Sequence, residues 1–250
     1  MHPPAAWPRL EHGDVHIWHF SLDQSPAELD QLRAVLNADE SARAARYVFP
    51  QHRAWSIAAR GMLRQLLGGY LNTDPAALTF DYGPQGKPAL RAAPLAFNLA
   101  HSDAAAVCAV TLNDPVGVDV EHIRANMDLR LVAQSHFSVQ ERVVLDAEPE
   151  ALARRDFFRC WSMKEAYIKG RGGGLSIPLA GFDVPLASRQ SLDRPLPVTT
   201  RESDPAAHGW YVAELGLGAQ LAGAVARQGP DWRVRHIVQR VSDGSGGLVG

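Results

Sequence analysis

The stretch "VGVDVE", Val116 to Glu121, limits what this chain can fold into more sharply than any other. Valine favours strands, and strand side chains alternate between faces. Val116, Val118 and Val120 then share one face. Gly117, Asp119 and Glu121 share the other. A strand whose valine side is buried thus carries two carboxylates side by side, where their charges repel. That side needs positive charge nearby.

A third carboxylate belongs to the same problem. In "FFRCWSMKEAYIKG", Phe157, Trp161, Glu165 and Ile168 fall at i, i+4, i+8 and i+11, one face of a helix. A carboxylate in an apolar stripe is costly without a partner. One partner is Lys169, at i+4 from Glu165, in a surface pair worth about 0.3–0.5 kcal/mol. The other is a hard cation, Mg²⁺ above all, shared among Asp119, Glu121 and Glu165. Mg²⁺ keeps waters and takes substrate phosphate oxygens, so this second reading also predicts a phosphate ligand.

Groups able to meet a phosphate are present. Arg53, Arg60 and Arg64 lie at i, i+7 and i+11, within about 40° around a helix axis at roughly 100° per residue. They form either one solvated face or part of an anion site with Arg43, Arg46 and Lys87, since guanidinium forks suit phosphate oxygens. "NLAHSD" places His101, Ser102 and Asp103 in sequence contact, where they cannot converge as nucleophile, base and orienter. His101, at a strand end, reads as a phosphate donor or a local cap. "GRGGGL" follows a helix, whereas a phosphate-cradling loop precedes one, so these glycines read as a helix end and a turn. Ser138 and Glu141 match the capping box S-x-x-E.

The 250 residues suffice for one large domain or two small ones. A net charge of −2 gives no reason to expect nucleic acid or an anionic membrane as partner. Cys108 in an apolar run and Cys160 among aromatics read as buried thiols of a reducing compartment. Neither a signal peptide nor a stretch of about 18 apolar residues is found, so a cytoplasmic protein without a transmembrane helix is expected.

Along the chain, "DVHIWHFSL" reads as a strand. Helices are expected from Ser25 to Val35, over "NADESARAARYVF", and from Gln51 to Leu71. "LTFDYGPQGKPAL" reads as strand, turn, strand, and "LAFNLAHSD" and "AAAVCAVTL" as paired strands. Helices at Leu129–Gln134, Ser138–Asp146 and Glu150–Lys169 follow "VGVDVEHI". Residues 185–209 read as a long surface excursion, before three closing strands "WYVAELGL", "QLAGAVAR" and "WRVRHIV". The fold class expected is α+β with two lobes, residues 1–112 and 113–241, and a disordered tail at 242–250.

"GVDVE" followed by "FFRCWSMKEAYIKGRGGGL" resembles the 4′-phosphopantetheinyl transferases of the larger, surfactin-synthetase-activating type. Their two signatures, approximately G-[IV]-D-[IV]-E and W-x-x-K-E-[AS]-x-x-K, are both complete. "RYVF", "GKPAL" and "FNLAHSD" resemble further family segments, so the likeness runs from about Arg43 to Pro178. It implies two similar α/β lobes in one pseudo-dimeric chain, a monomer, with coenzyme A in the cleft between them. It implies Mg²⁺-dependent transfer of the phosphopantetheine arm to a serine of an apo acyl or peptidyl carrier protein, releasing adenosine 3′,5′-bisphosphate. By position, Asp119, Glu121 and Glu165 are the implied metal ligands. Lys164 and Lys169 are implied at the pyrophosphate and Glu141 as general base. Arg46, Arg53, Arg60, Lys87 and His101 are implied coenzyme phosphate contacts, with Gly86, Pro88, Ser102 and Asp119 beside the coenzyme. Ala100 replaces a common family Ser or Thr. A hydrolase of nucleotide diphosphates and a non-catalytic coenzyme-binding or carrier-binding module are the alternatives.

Overall fold

The computed structural model describes residues 7–125, 129–187 and 192–237; the expected tail at 242–250 lies outside them. The chain runs β1 (Asp14–Ser21), α1 (Pro26–Ala34), α2 (Ala38–Ala45) and α3 (Pro50–Leu71). The hairpin β2 (Phe80–Tyr82) and β3 (Pro88–Leu90) leads to β4 (Leu95–Ser102), β5 (Ala105–Leu112) and β6 (Val116–His122). Then come α4 (Leu129–His136), α5 (Val139–Asp146) and α6 (Glu150–Arg171), followed by the short β7 (Phe182–Asp183), β8 (Leu196–Pro197) and β9 (Thr199–Thr200). β10 (Trp210–Glu214), β11 (Leu221–Gln228) and β12 (Arg233–Ile237) complete the described chain.

Two four-stranded sheets form, ordered β12-β1-β5-β4 and β6-β11-β10-β8. Their inner faces meet in one core: Val15, Ile17, Val107 and Ala109 pack with Val116, Val118, Val120 and Val225. The outer face of the first sheet, through Trp18, Phe97, Cys108 and Val110, is covered by Leu63, Leu66 and Leu67 of α3. The outer face of the second, through Val212, Ala222, Ala224 and Ala226, is covered by Phe157, Cys160, Met163, Ala166 and Tyr167 of α6. The layers are therefore helix, sheet, sheet, helix, a mixed α/β architecture.

Each long helix has 22 residues and a left-handed end, Asn72 at φ 49° for α3 and Gly172 at φ 74° for α6. Such ends satisfy last-turn carbonyls that the helix itself cannot. The short helices before them are fixed at their starts by capping boxes, Asn37 with Glu40 for α2 and Ser138 with Glu141 for α5. Each cap is worth about 1 kcal/mol.

Two expectations fail here. The closing strand β12, expected in the second half, pairs parallel with β1, Val15 opposite Val234 and Ile17 opposite His236. The border at residue 112 therefore does not separate the sheets. The excursion at 185–209 is not all surface: Leu186, Val198 and Ala207 are buried and β8 joins the second sheet through β10.

Candidate active site

The alternation in "VGVDVE" holds, and both faces of β6 are covered. Val116, Val118 and Val120 enter the central core. Asp119 pairs in register with Ala224 and Glu121 with Ala222 on β11, and these small neighbours leave α6 close to the sheet. The approach is tightest at Gly117: a Cβ there would lie 2.0 Å from the Ala166 carbonyl oxygen and 2.2 Å from the Gly170 nitrogen. Gly117 shares the face of the carboxylates, and the backbone of α6 fills the space beside it.

This crossing buries Asp119, which is 3% exposed. Its Oδ1 accepts a hydrogen bond from Lys169 Nζ at 2.6 Å, while its Oδ2 is buried without a hydrogen-bond partner. Burial pushes the Asp119 carboxyl up to about 7, against the opposing pull of Lys169, and the charges of Glu121 and Glu165 add to the rise. Glu165 Oε2 stands 3.9 Å from the same ammonium, and burial raises its carboxyl too. The bland pairing of Glu165 with Lys169 is therefore the weaker contact, and the lysine belongs chiefly to Asp119. Glu121 Oε2 accepts from Ser102 Oγ at 3.0 Å, and the same hydroxyl accepts from the His122 amide at 3.1 Å. Ser102 thus orients Glu121 from β4, while His101 beside it is exposed.

Asp119, Glu121 and Glu165 thus share one electrostatic site around Lys169. Among the described residues no group of three acidic, histidine or cysteine side chains is drawn close enough to hold a metal as it stands. The donors nonetheless suit a hard cation: all are carboxylate oxygens, and one is buried with nothing bound to it. Lys169 occupies part of the charge role that such a cation would fill.

Two residues implied for catalysis lie elsewhere. Lys164 is fully buried; its ammonium donates to the carbonyls of Leu179 at 2.7 Å and Phe182 at 2.8 Å. It also pairs with Glu141 at 2.8 Å and sits 4.2 Å from the Phe182 ring centre. An ammonium so enclosed cannot contact a pyrophosphate. Glu141 is 2% exposed, and its carboxylate accepts from the amides of Ser138 at 2.9 Å and Val184 at 2.9 Å besides Lys164. Glu141 closes the capping box and neutralises Lys164, with both its oxygens engaged, which is the arrangement of a structural carboxylate.

The arginine stripe divides as well. Arg64 is fully buried, bound to Glu40 at 2.7 Å and to the carbonyls of Pro75 and Leu78. A single solvated face is therefore excluded. Arg60 is 22% exposed, 3.6 Å from Glu40, with its Nη1 buried and unpartnered. Arg53 is exposed and donates to the Tyr47 carbonyl, and Arg46 ends α2. Gly86 sits in an exposed turn at φ 77°, and Pro88 opens β3. Lys87 does not offer a free donor to a phosphate, since it binds the carbonyls of Val116, Lys169 and Gly170. The roles missed from sequence are those of Arg64, Glu40 and Ser102. The match Asn37-x-x-Glu40 to a capping box was a usable signal for the second.

Comparison with known proteins identifies the family. Residues 115–225 match the family described as the 4′-phosphopantetheinyl transferase superfamily. Residues 21–113 match the family described as 4′-phosphopantetheinyl transferase, N-terminal. The 4′-phosphopantetheinyl transferase HetI of Nostoc sp. is 37% identical over 224 residues, 88% of this chain and 90% of the relative. A 4′-phosphopantetheinyl transferase of Bacillus subtilis is 32% identical over 164 residues, covering 65% and 71%. The 4′-phosphopantetheinyl transferase Sfp of Bacillus subtilis (strain 168) is 27% identical over 201 residues, covering 76% and 88%. With both family regions and a relative matched over nine-tenths of its length, this chain belongs to the 4′-phosphopantetheinyl transferase superfamily.

Proposed function

We propose that the protein transfers the 4′-phosphopantetheine arm of coenzyme A to a serine hydroxyl of an apo carrier protein, leaving adenosine 3′,5′-bisphosphate. The observation that carries this reading is the buried Asp119, with one oxygen on Lys169 and the other unpartnered, among Glu121 and Glu165. Those three carboxylates would hold Mg²⁺, which when bound supplies positive charge to the pyrophosphate and to the leaving bisphosphate. Lys169 adds a cation where negative charge develops in the transition state. Ser102 holds Glu121 in place from the other sheet. The nucleophile comes from the carrier, so the chain supplies none. Glu141 already accepts from Ser138, Val184 and Lys164, and Glu165 belongs to the metal set, so the serine proton is left to solvent water in the cleft. Coenzyme A would lie against the carboxylate site, with exposed His101, Arg46 and Arg53 toward its phosphates; Arg60 would join them only by exposing its buried Nη1.

The test is intact mass spectrometry of a panel of apo carriers after incubation with coenzyme A and Mg²⁺. A gain of one phosphopantetheine on at least one carrier, lost on chelation, is expected. Cleavage of coenzyme A without any gain would replace the reading by a hydrolase.

A further inference from the structure

The joint between β6 and α6 is closed by a lysine from the first half of the chain. Lys87 immediately precedes β3, and its Nζ donates to the carbonyls of Val116 at 2.9 Å, Lys169 at 2.6 Å and Gly170 at 3.2 Å. An ammonium has three N–H donors, so all three are used. Two of these acceptors are last-turn carbonyls of α6, which favour a cation; that of Lys169 also accepts from the Gly172 amide at 3.2 Å. The third precedes Gly117, where strand and helix backbones touch. Lys169 is held by its carbonyl while its own ammonium binds Asp119. One ammonium therefore grips the backbone on both sides of the Asp119–Lys169 pair.

We propose that Lys87 is a positioning residue for transfer: by clamping the carbonyls of Val116, Lys169 and Gly170 it fixes the spacing between Asp119 and Glu121 on β6 and Glu165 and Lys169 on α6. This rests on those four groups being the reacting site. The clamp has to be made by a residue outside β6 and α6, because a cap taken from either element would move with it. Burial of Lys87 makes the arrangement costly unless every N–H is bonded, which is the case. A side chain without a free donor binds a phosphate only by abandoning the clamp.

The experiment compares the full chain with Lys87→Met and Lys87→Arg. It measures kcat, KM and calorimetric Kd for coenzyme A, and amide hydrogen exchange. In Lys87→Met, kcat is expected to fall at least about tenfold while Kd for coenzyme A stays within about twofold. Exchange at residues 116–121 and 166–171 should quicken by about tenfold, with the core of α3 unchanged. Lys87→Arg, which keeps the cation, should recover at least about threefold in kcat over Lys87→Met. Coenzyme binding weakened tenfold at unchanged kcat overturns the proposal and makes Lys87 a coenzyme contact. Unchanged kcat and exchange overturn it as well. So does exchange raised throughout the chain with no recovery in Lys87→Arg. If Lys87→Met does not fold, Lys87→Gln, which keeps an N–H pair, carries the same arms. If the unaltered protein modifies no carrier, the transferase reading falls, and the exchange arm still decides whether the clamp exists.

Discussion

Two buried ion pairs, one in each half of the molecule, are built alike. Arg64 stands fourteen residues after the start of α3, and Lys164 fourteen after the start of α6. Each is fully buried and each meets the capping-box glutamate of the preceding short helix, Glu40 or Glu141. Each also donates to carbonyls of the segment after its helix, and each lies over an aromatic ring, Phe80 or Phe182. The two halves differ in the turn that follows. Where α6 has Glu165, Lys169 and Gly170, α3 has Gln65, Gly69 and Tyr70. One scaffold is thus used twice, and only one copy carries a charged site. The motif residues therefore divide into those that hold the scaffold in both halves and those present in one half only, which are the candidates for chemistry.

The largest expected effect tests that division at its sharpest point. Glu165→Gln and Glu121→Gln should each lower transfer by about 10²–10³-fold without lowering the melting temperature, because each removes a charge acting on the transition state. Gln65→Glu, at the twin position on α3, should leave turnover unchanged. Initial rates of carrier modification measure all three. Near-normal turnover in Glu165→Gln would erase the distinction between the halves.

The next effect concerns the shared scaffold. Removing one partner of a buried pair strands the other, at a cost of about 3–5 kcal/mol. Glu40→Gln and Glu141→Gln should both lose stability of this order in urea unfolding. The paired changes Glu40→Gln with Arg64→Met, and Glu141→Gln with Lys164→Met, should lose less, since no charge is left alone. Folded Glu141→Gln protein should keep most of its turnover at low temperature. A turnover loss beyond tenfold in the folded fraction would restore Glu141 as a base and break the likeness to Glu40.

A middle-sized effect bears on Ser102, which ties one sheet to the carboxylate of the other. Ser102→Ala should lower kcat by about tenfold, the loss of roughly one charge-assisted hydrogen bond, with unchanged Kd for coenzyme A. A weakened Kd at unchanged kcat would make Ser102 a coenzyme contact, as the resemblance implies.

Much of the fold was legible because it is written locally. Alternation in "VGVDVE" and the stripe through Phe157, Trp161, Glu165 and Ile168 give β6 and α6, and capping residues give helix starts. Periodicity gives direction around an axis, not depth. Arg53 and Arg64 point almost the same way from α3, yet one is exposed and the other buried, because the loop at residues 75–78 folds over only the far end of the helix. The pairing of β12 with β1 joins residues some two hundred positions apart and has no local signal. For Lys164 and Lys87 the motif marks positions that matter without saying how. Both prove to bind carbonyls, and tertiary contacts alone could reveal that.

The smallest effect separates the two helix–sheet crossings. α6 crosses β6 through Gly117 and Gly170, backbone on backbone. α3 crosses β1 through Tyr70, at the position of Gly170, and there side chains do the work: Trp18 Nε1 donates to the Tyr70 oxygen at 2.9 Å. That oxygen in turn meets His16 Nδ1 at 2.6 Å. Burial favours the neutral imidazole, whose Nδ1 can accept the Tyr70 hydrogen while the phenol oxygen accepts from Trp18. Burial lowers the His16 pKa below its ordinary 6.5, against the pull of Asp14 and with the push of Arg235. A depressed folded value means that the unfolded chain takes up the proton first as pH falls. The stability held above pH 6.5 is then lost as pH drops below it. His16 therefore contributes a downward slope of melting temperature between pH 7.5 and pH 5.5, before Asp14, whose carboxyl is held low beside Arg233, begins to protonate, and Asp119, raised to about 7, opposes it over the same range. His16→Asn, whose amide oxygen can accept the Tyr70 hydrogen but does not titrate, should flatten that slope. At the α6 crossing the titrating group is Asp119, whose raised carboxyl takes up its proton first in the folded chain as pH falls, so amides at residues 116–118 should not quicken in acid as those at 15–18 do. An equal acid response at both crossings would show that His16 does not set it.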